Sequence, residues 1–168
     1  MCHNSGEYLT KDGGMKPSYL PSVHPDPWVD LTRGYIARAA QSLTEAGLTI
    51  EKSWLDPREP RDATIIFRAA ASEAHALVWD EVTGWRCGIF GSGRPGVRTV
   101  LSRSRYLGGG VLPDARELVH RVLAGVSEPH RQYRSLTDLD DGTDDELRRY
   151  LGLPTAVSGE TRQLGAVS

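Results

Sequence analysis

Cysteine is scarce in this sequence, and long apolar runs are missing. The two cysteines, Cys2 and Cys87, lie far apart, which excludes a disulfide framework and a CxxC motif. No run reaches the roughly 18 to 20 apolar residues of a membrane helix. The opening residues, MCHNSGEYLTKDGG, lack the apolar core of a secretory signal. We therefore expect a cytoplasmic protein with no membrane partner.

A strong charge of either sign is also absent. The net charge is −2, made of −1 over residues 1–28, +2 over 29–125 and −3 over 126–168. Such values are too small to indicate nucleic-acid binding on their own. Arginine outnumbers lysine 17 to 3. A GC-rich genome produces the same bias, so an arginine at a given position is weak support for a chemical role.

Motifs for catalysis and for metal binding are missing as well. The five histidines are scattered, and no HExxH, no Cys/His ligand spacing and no GxSxG occurs. The acidic run DLDDGTDDE at 138–146 resembles a calcium loop, but Gly142 stands fifth in it, where an EF-hand requires its glycine sixth. Cys87 fits a small buried hydrophobe. The sequence therefore predicts no catalytic residue, no metal and no cofactor, and it favours a protein that is not an enzyme.

Apolar periodicity predicts two helices with a run of strands between them. One helical stripe covers residues 30–46, with Asp30 as the N-cap, and another covers residues 113–124. Between them the period changes to two, and short turn-rich links separate about five strands. In the first of these strands, Ile50 and Trp54 would share one face of the sheet.

Strands joined by short turns form an antiparallel meander, because parallel pairing needs long crossovers. The two helix stripes would then pack on one sheet face. We therefore predict an α+β, two-layer fold, in which an antiparallel sheet of about five strands is flanked by an N-terminal and a C-terminal helix, with disordered tails. The predicted domains are a flexible tail (1–28), the α+β domain (29–125) and a polar, acidic C-terminal tail (126–168), in which residues 144–151 could form a short helix.

Residues 84–110 hold eight glycines and five arginines. The stretch GSGRPG at 91–96 matches the GxGxxG spacing of a dinucleotide loop, but a strand-like sequence follows it where that loop requires a helix. The glycines at 108–110 do precede a helix, yet Asp114 and Glu117 in its first turn would repel a phosphate. Strand turns and a tight connection from sheet to helix are therefore the favoured interpretations, and anion binding is the alternative.

Three short segments resemble a known family. They are DATI at 62–65, WDEVTGW at 79–85 and GGGVLPD at 108–114. Together they are similar to an uncharacterised family of small actinobacterial proteins that is described as a domain of unknown function, over about residues 29–125. The resemblance supports that domain boundary and such a host, and it implies no catalytic residue and no ligand.

Large aromatic side chains on a small sheet favour protein contacts. If helices cover only one sheet face, some of Trp79, Trp85 and Phe90 would lie exposed and could bind a partner. We therefore expect a small, non-enzymatic binding or regulatory module. Nucleic-acid binding is the alternative, and an enzyme with an unrecognised site is a further one. The candidate residues for nucleic acid are Arg94, Arg98, Arg103, Arg105 and Tyr106.

Two further expectations concern the second sheet face and the acidic run. An uncovered face with a free edge favours a symmetric homodimer. The acidic run at 138–146 could also fold back over the arginines at 94–105, because the two charges are opposite. Cutting the chain after Gly125 would then strengthen binding to DNA.

Overall fold

The computed structural model of the chain describes residues 8–9 and 15–155. The predicted N-terminal tail falls partly outside these ranges, and the end of the predicted C-terminal tail falls wholly outside them. The elements in chain order are β1 (Tyr8–Leu9), β2 (Met15–Lys16), α1 (Pro27–Asp30), α2 (Arg33–Glu45), β3 (Thr49–Asp56), β4 (Asp62–Arg68), β5 (His75–Asp80), β6 (Gly84–Arg94), β7 (Val97–Tyr106), α3 (Ala115–Leu123) and α4 (Thr143–Tyr150).

Strands β3 to β7 form one antiparallel sheet in the order β3-β4-β5-β6-β7. Neighbours in space are neighbours in sequence, so short turns are sufficient. At the turn between β5 and β6, the Asp80 carboxylate accepts hydrogen bonds from the backbone N–H groups of Val82 (2.9 Å) and Thr83 (2.7 Å). Gly84 takes a φ of 74° there. The predicted α+β meander is confirmed.

Helices α2, α3 and α4 cover one sheet face and enclose the main core. The polar groups at its centre are paired. The Tyr35 hydroxyl donates to the Pro113 carbonyl (2.7 Å) and accepts from the Trp85 indole (2.9 Å). The Trp79 indole donates to the Val111 carbonyl (2.8 Å). This pairing offsets the desolvation of these groups, so the aromatic rings can be buried completely.

Trp79 and Trp85 have no exposed surface. The structure thus corrects the expectation that these tryptophans are open to a partner. They are directly opposite each other on β5 and β6, on the face that the helices cover. Phe90 packs on the other face and is partly buried.

The first helix begins earlier than its periodicity predicts, and it is interrupted. Asp26 caps α1 by accepting a hydrogen bond from the backbone of Trp28 (2.9 Å). Residues 31–32 then separate α1 from α2. Asp30, which the sequence placed at the N-cap, instead forms an ion pair with Arg33 (2.8 Å).

A register shift between Ile50 and Lys52 reverses the alternation of β3. Ile50 belongs to the core under the helices, whereas Trp54 packs with Ile66 and Ala76 on the other sheet face. The prediction that Ile50 and Trp54 share a face is wrong. An extra residue in one strand moves every later side chain to the opposite face.

The far end of the β6–β7 hairpin curls over this second face. Register shifts interrupt its pairing at three places. Its glycines allow close approach of the two strands, since a Cβ on Gly88 would lie 2.9 Å from the Ser102 carbonyl oxygen. The curl brings the Thr99 hydroxyl to 2.7 Å from the Thr64 hydroxyl, although β7 and β4 are not neighbours in the sheet. The second face is therefore partly covered by the protein's own hairpin.

The segment after α3 packs against the sheet. The backbone of Glu128 donates to the Tyr106 carbonyl at the end of β7 (2.8 Å). The helix expected at 144–151 is present as Thr143–Tyr150, and its Leu147 is fully buried in the main core. This part of the acidic segment thus belongs to the folded unit.

Candidate functional site

A fully buried carboxylate, Glu81, follows directly after β5. The side chain of Arg61, which is also fully buried, binds both Glu81 oxygens, at 2.9 and 3.2 Å. Arg134 binds one of these oxygens at 2.9 Å. Buried charges persist only when they are paired and hydrogen-bonded in this way. The glutamate of the WDEVTGW motif therefore has a structural position, between two arginines that lie far from it in the sequence.

Two acidic residues of the C-terminal segment complete this ion-pair network. Asp144 accepts a hydrogen bond from Arg61 (2.6 Å), and Asp141 accepts two from Arg134 (2.7 and 3.1 Å). Burial opposes ionisation of Asp141, but hydrogen bonds from Thr143 and Arg134 hold its pKa below the usual value. The network fixes α4 and the segment before it on the sheet.

A cleft of about 700 Å³ lies beside the ion-pair network. The sheet, the β6–β7 hairpin and residues 130–137 form its walls. Arg86 of β6 and Arg98 of β7 both line it. Its volume is within the range of small-ligand sites, so it is the main candidate for a functional site.

Aromatic side chains form part of the cleft wall. Tyr106 and His130 meet edge to face, with ring centroids 5.0 Å apart. Tyr133 and Leu136 lie on the same wall, and each is about two-fifths exposed. Arg134, between them in sequence, is bound to Glu81, so the buried network holds this wall in place.

Asp62 lies next to the cleft, at the start of β4. It is paired in register with Asp56 of β3 on one side and with Asp80 of β5 on the other. Burial raises the pKa of Asp62 to about 7; the charges of Asp56 and Asp80 act in the same direction, and those of Arg86 and Arg98 oppose it. A carboxyl group with such a pKa beside a cleft marks a candidate site.

Comparison with known proteins assigns the region that contains the sheet and α3 to a protein family. The protein family described as "Family of unknown function (DUF6292)" matches residues 35–124. The chain belongs to this family. No curated protein and no solved structure matches it.

The family match begins within α2 and ends at Ala124, the residue after α3. It therefore includes the whole five-stranded sheet, with Asp62, Arg86 and Arg98. The second cleft wall, residues 130–137, lies outside it. One wall of the candidate site is thus the sheet, which belongs to the matched family region, and the other wall is a segment outside that region.

The arginines predicted for nucleic acid are not brought together. Arg98 lines the cleft, as does Tyr106. Arg105 is turned to the helix side, where its guanidinium donates to carbonyl groups at the end of α3 and just beyond, at 2.5 and 3.2 Å. Arg94 and Arg103 are exposed outside the cleft lining. Only Arg98 and Tyr106 of the predicted set can act on one ligand in this cleft.

The acidic segment binds other arginines than the sequence suggested. Asp141 and Asp144 are paired with Arg134 and Arg61, and Asp145 is paired with Arg148. These contacts pair three of the six acidic residues at 138–146, and none of the three contacts involves an arginine of the β6–β7 hairpin. They leave the cleft face of the hairpin to other partners.

Sequence reasoning missed Asp62, Arg86 and the residues of the second cleft wall. Asp62 and Asp80 start and end strands whose register only the sheet reveals. Residues 130–137 have no helical or strand periodicity. A large aromatic residue, Tyr133, within this polar stretch is the feature that indicates a packed or binding segment. Among the described residues, no group of three or more His, Cys, Asp or Glu side chains could hold a metal ion. Within the same residues, no helix has the length and apolar character that crossing a membrane requires.

Proposed function

We propose that the protein is a small, non-enzymatic binding or regulatory module of the cytoplasm, and that the cleft is its contact site for a partner protein. The observation that carries this proposal is the composition of the cleft. Exposed Tyr133 and Leu136 stand beside Arg86 and Arg98. Tyrosine and arginine are enriched at protein interfaces, where apolar side chains are surrounded by polar groups.

The acidic groups around the cleft support a binding role. Glu81 and Asp141 are engaged by arginines. Asp80 is engaged by the turn it caps, including a hydrogen bond from the Thr83 hydroxyl. These three carboxylates are thus engaged in structural contacts, and Asp62 is the acidic group beside the cleft whose pKa lies near 7. The cleft therefore offers shape, aromatic surface and positive charge to a ligand.

Affinity capture from the organism that encodes the chain tests this proposal. The full-length protein should retain a partner protein that Tyr133→Ala with Leu136→Ala loses, and nuclease treatment should not change the result. Leu123→Ala is the matched control, because Leu123 is an exposed leucine on α3 outside the cleft. The captured partner should then bind the purified protein directly. Equal capture by all variants would contradict the proposal.

Nucleic-acid binding is the second candidate function. It is favoured by Arg98 and Tyr106 lining one cleft with Arg86, since arginine can hold a phosphate while an aromatic ring stacks on a base. It is disfavoured by Arg105, whose guanidinium is already bonded within the protein. The nuclease arm of the capture experiment separates the two candidates.

Two finer proposals accompany this function. An actinobacterial host is supported by the ratio of 17 arginines to 3 lysines.

A homodimer is supported by the outer edge of β7, where Val97 and Val100 are exposed, because unpaired edges can pair with a second copy. Light scattering tests the dimer, and a mass of 18.4 kDa would contradict it.

A further inference from the structure

Two arginines that line the cleft, Arg86 and Arg98, form no salt bridge within the part of the chain that the structure describes. In contrast, Arg61 and Arg134 are each held by two carboxylates. Arginine is the side chain best suited to bind a carboxylate or a phosphate, because its planar donors match two oxygens at once. The cleft thus has charge that the fold itself does not use.

We propose that Arg86 and Arg98 bind an oxyanion of the partner segment, either an acidic side chain or a phosphoryl group. This identification of the ligand rests on the proposed function, whereas the anion site itself does not. The two arginines come from neighbouring strands, β6 and β7, and both act on the same carboxyl group, that of Asp62. Both line the cleft, on the wall that the sheet and the β6–β7 hairpin form.

The surroundings of the arginines select a peptide over a bare ion. Tyr106 and Tyr133 supply aromatic surface in the same cleft, and Gln132, Ser135 and Thr137 supply hydrogen-bonding groups. A volume of about 700 Å³ accommodates a few residues of an extended segment. The oxyanion would be the charged anchor, and the remaining contacts would fix the direction of the chain.

Asp62 makes this site sensitive to pH. The charged groups that act on it come from the two neighbouring strands and from the two strands beyond: Asp56 from β3, Asp80 from β5, Arg86 from β6 and Arg98 from β7. Its pKa is about 7, so above neutral pH its carboxylate competes with the ligand for the two guanidinium groups. Below neutral pH the carboxyl group is uncharged and the arginines are free to bind an anion. Anion binding should therefore strengthen as the pH falls.

Titration of the full-length protein with sodium sulfate, followed by NMR of the arginine side-chain N–H groups, tests the anion site. Sulfate keeps its charge between about pH 6 and about pH 8, so a change in affinity reports on the protein. We expect sulfate to bind about 3- to 10-fold more tightly at the lower pH, as one linked proton allows. Acetate, which also keeps its charge over this range, serves as the carboxylate probe.

Variants assign the effect to residues. Arg86→Gln and Arg98→Gln should each abolish most of the binding, and Asp62→Asn should bind tightly at both pH values. Arg94→Gln is the matched control, because Arg94 is an exposed arginine of the same hairpin outside the cleft. His130 also lines the cleft, so His130→Gln must keep the pH dependence if Asp62 causes it. If Arg94→Gln loses as much binding as Arg98→Gln, the site is general surface charge and the proposal fails.

Peptides distinguish the two sources of the oxyanion. A short glutamate peptide and a phosphoserine peptide should compete with sulfate, whereas a glutamine peptide should not. The peptide that binds more tightly shows whether the natural oxyanion is a carboxylate or a phosphoryl group. A single-stranded oligonucleotide that binds far more tightly than either peptide would overturn the peptide assignment. If sulfate binds as expected but the Tyr133 and Leu136 variants still capture the partner, the proposed function fails and the anion site stands. If capture depends on the cleft but Arg86→Gln and Arg98→Gln leave both sulfate and partner binding unchanged, the anion site fails alone.

Discussion

Glu81 and its two arginines are the residues on which the position of the C-terminal segment depends. A buried ion pair adds little stability by itself, because desolvation of the charges offsets their attraction. Removing Arg134 is different, since Glu81 then keeps only Arg61 and Asp141 loses its cation. Arg134 is the partner of Glu81 that belongs to the cleft wall, so it links stability with the candidate site.

Replacing Arg134 should therefore destabilise the protein strongly. We expect Arg134→Ala to lower the free energy of unfolding by about 2–3 kcal/mol, because Glu81 keeps its bonds from Arg61 but loses the charged bond from Arg134. Arg131→Ala is the control, because Arg131 is exposed in the same segment and should stay within about 0.5 kcal/mol of the wild type. Urea denaturation measures both. Equal effects of the two substitutions would mean that the buried pair is not important for stability.

Asp62 should make the stability fall as the pH rises. Its pKa is about 7 in the fold and 3.8 in the reference state, so between these values the folded protein binds the additional proton. Stability then declines as the pH rises from about 4 to 7 and levels off above that. Asp62→Asn should remove this decline, with a relative gain on the order of 2 kcal/mol at about pH 8 after allowance for partial exposure. Denaturation of both proteins at several pH values measures it, and parallel pH curves would contradict the assignment.

Single residues were predictable from the sequence where the determining contact is local. Asp80 caps its own turn, as turn chemistry indicates. Glu81 was not predictable, because Arg61 and Arg134 lie 20 and 53 positions away. A charged residue in a sequence is expected at the surface, and nothing near Glu81 indicates that it is enclosed.

At the scale of elements, the β6–β7 hairpin departs most from the sequence interpretation. Its turns were predicted, but its curl over the second sheet face was not. The signal was present in Gly88 and Gly93, since a Cβ at either position would come within 3 Å of the facing strand. Glycine in a strand is typical of close backbone approach, and these two glycines serve that purpose here.

Helices α2 and α4 approach each other at a glycine. A Cβ on Gly34 would lie 2.7 Å from the Tyr150 carbonyl oxygen and 2.9 Å from Leu151. Alanine normally stabilises a helix by about 1 kcal/mol relative to glycine. At this position, however, the added methyl group would push the backbone of α4 at Tyr150 away from α2. We expect Gly34→Ala to destabilise the protein by about 1–3 kcal/mol, and hydrogen exchange in α4 should accelerate.

Gln41→Ala provides the comparison for this substitution. Gln41 is exposed in the same helix, so alanine there changes helix propensity without a new contact. It should leave stability within about 0.5 kcal/mol of the wild type. A Gly34→Ala protein that is more stable than the wild type would show that α4 does not pack closely on α2.

At the scale of the whole molecule, the folded unit is longer than the predicted domain of residues 29–125. The order helix, meander, helix follows from apolar periodicity, which is why the fold class could be predicted. The segment after Gly125 is polar and acidic, and such a composition is typical of a tail. Its few apolar residues carry the packing instead, with Leu147 fully buried and Tyr150 in ring contact with Tyr35 at 5.2 Å.

Truncation after Gly125 should consequently damage the fold. The cut removes Arg134 from Glu81 and Asp144 from Arg61, and it uncovers the core beneath Leu147. We expect the shortened chain to lose cooperative thermal unfolding, as measured by circular dichroism. Truncation after residue 155 keeps all of these contacts and should unfold like the full-length protein. A stable, cooperative chain of residues 1–125 would contradict this expectation.

The pairing of Glu81 with Arg134 also has an evolutionary consequence. Glu81 lies inside the region that the family shares, whereas Arg134 lies beyond its end. A relative that lacks a cation at the second position would leave the buried carboxylate with Arg61 alone and lose stability. The two positions should therefore co-vary, so that relatives with a different segment after α3 carry an uncharged residue in place of this glutamate. The amino acid at one motif position would then reveal which relatives have the second wall of the cleft.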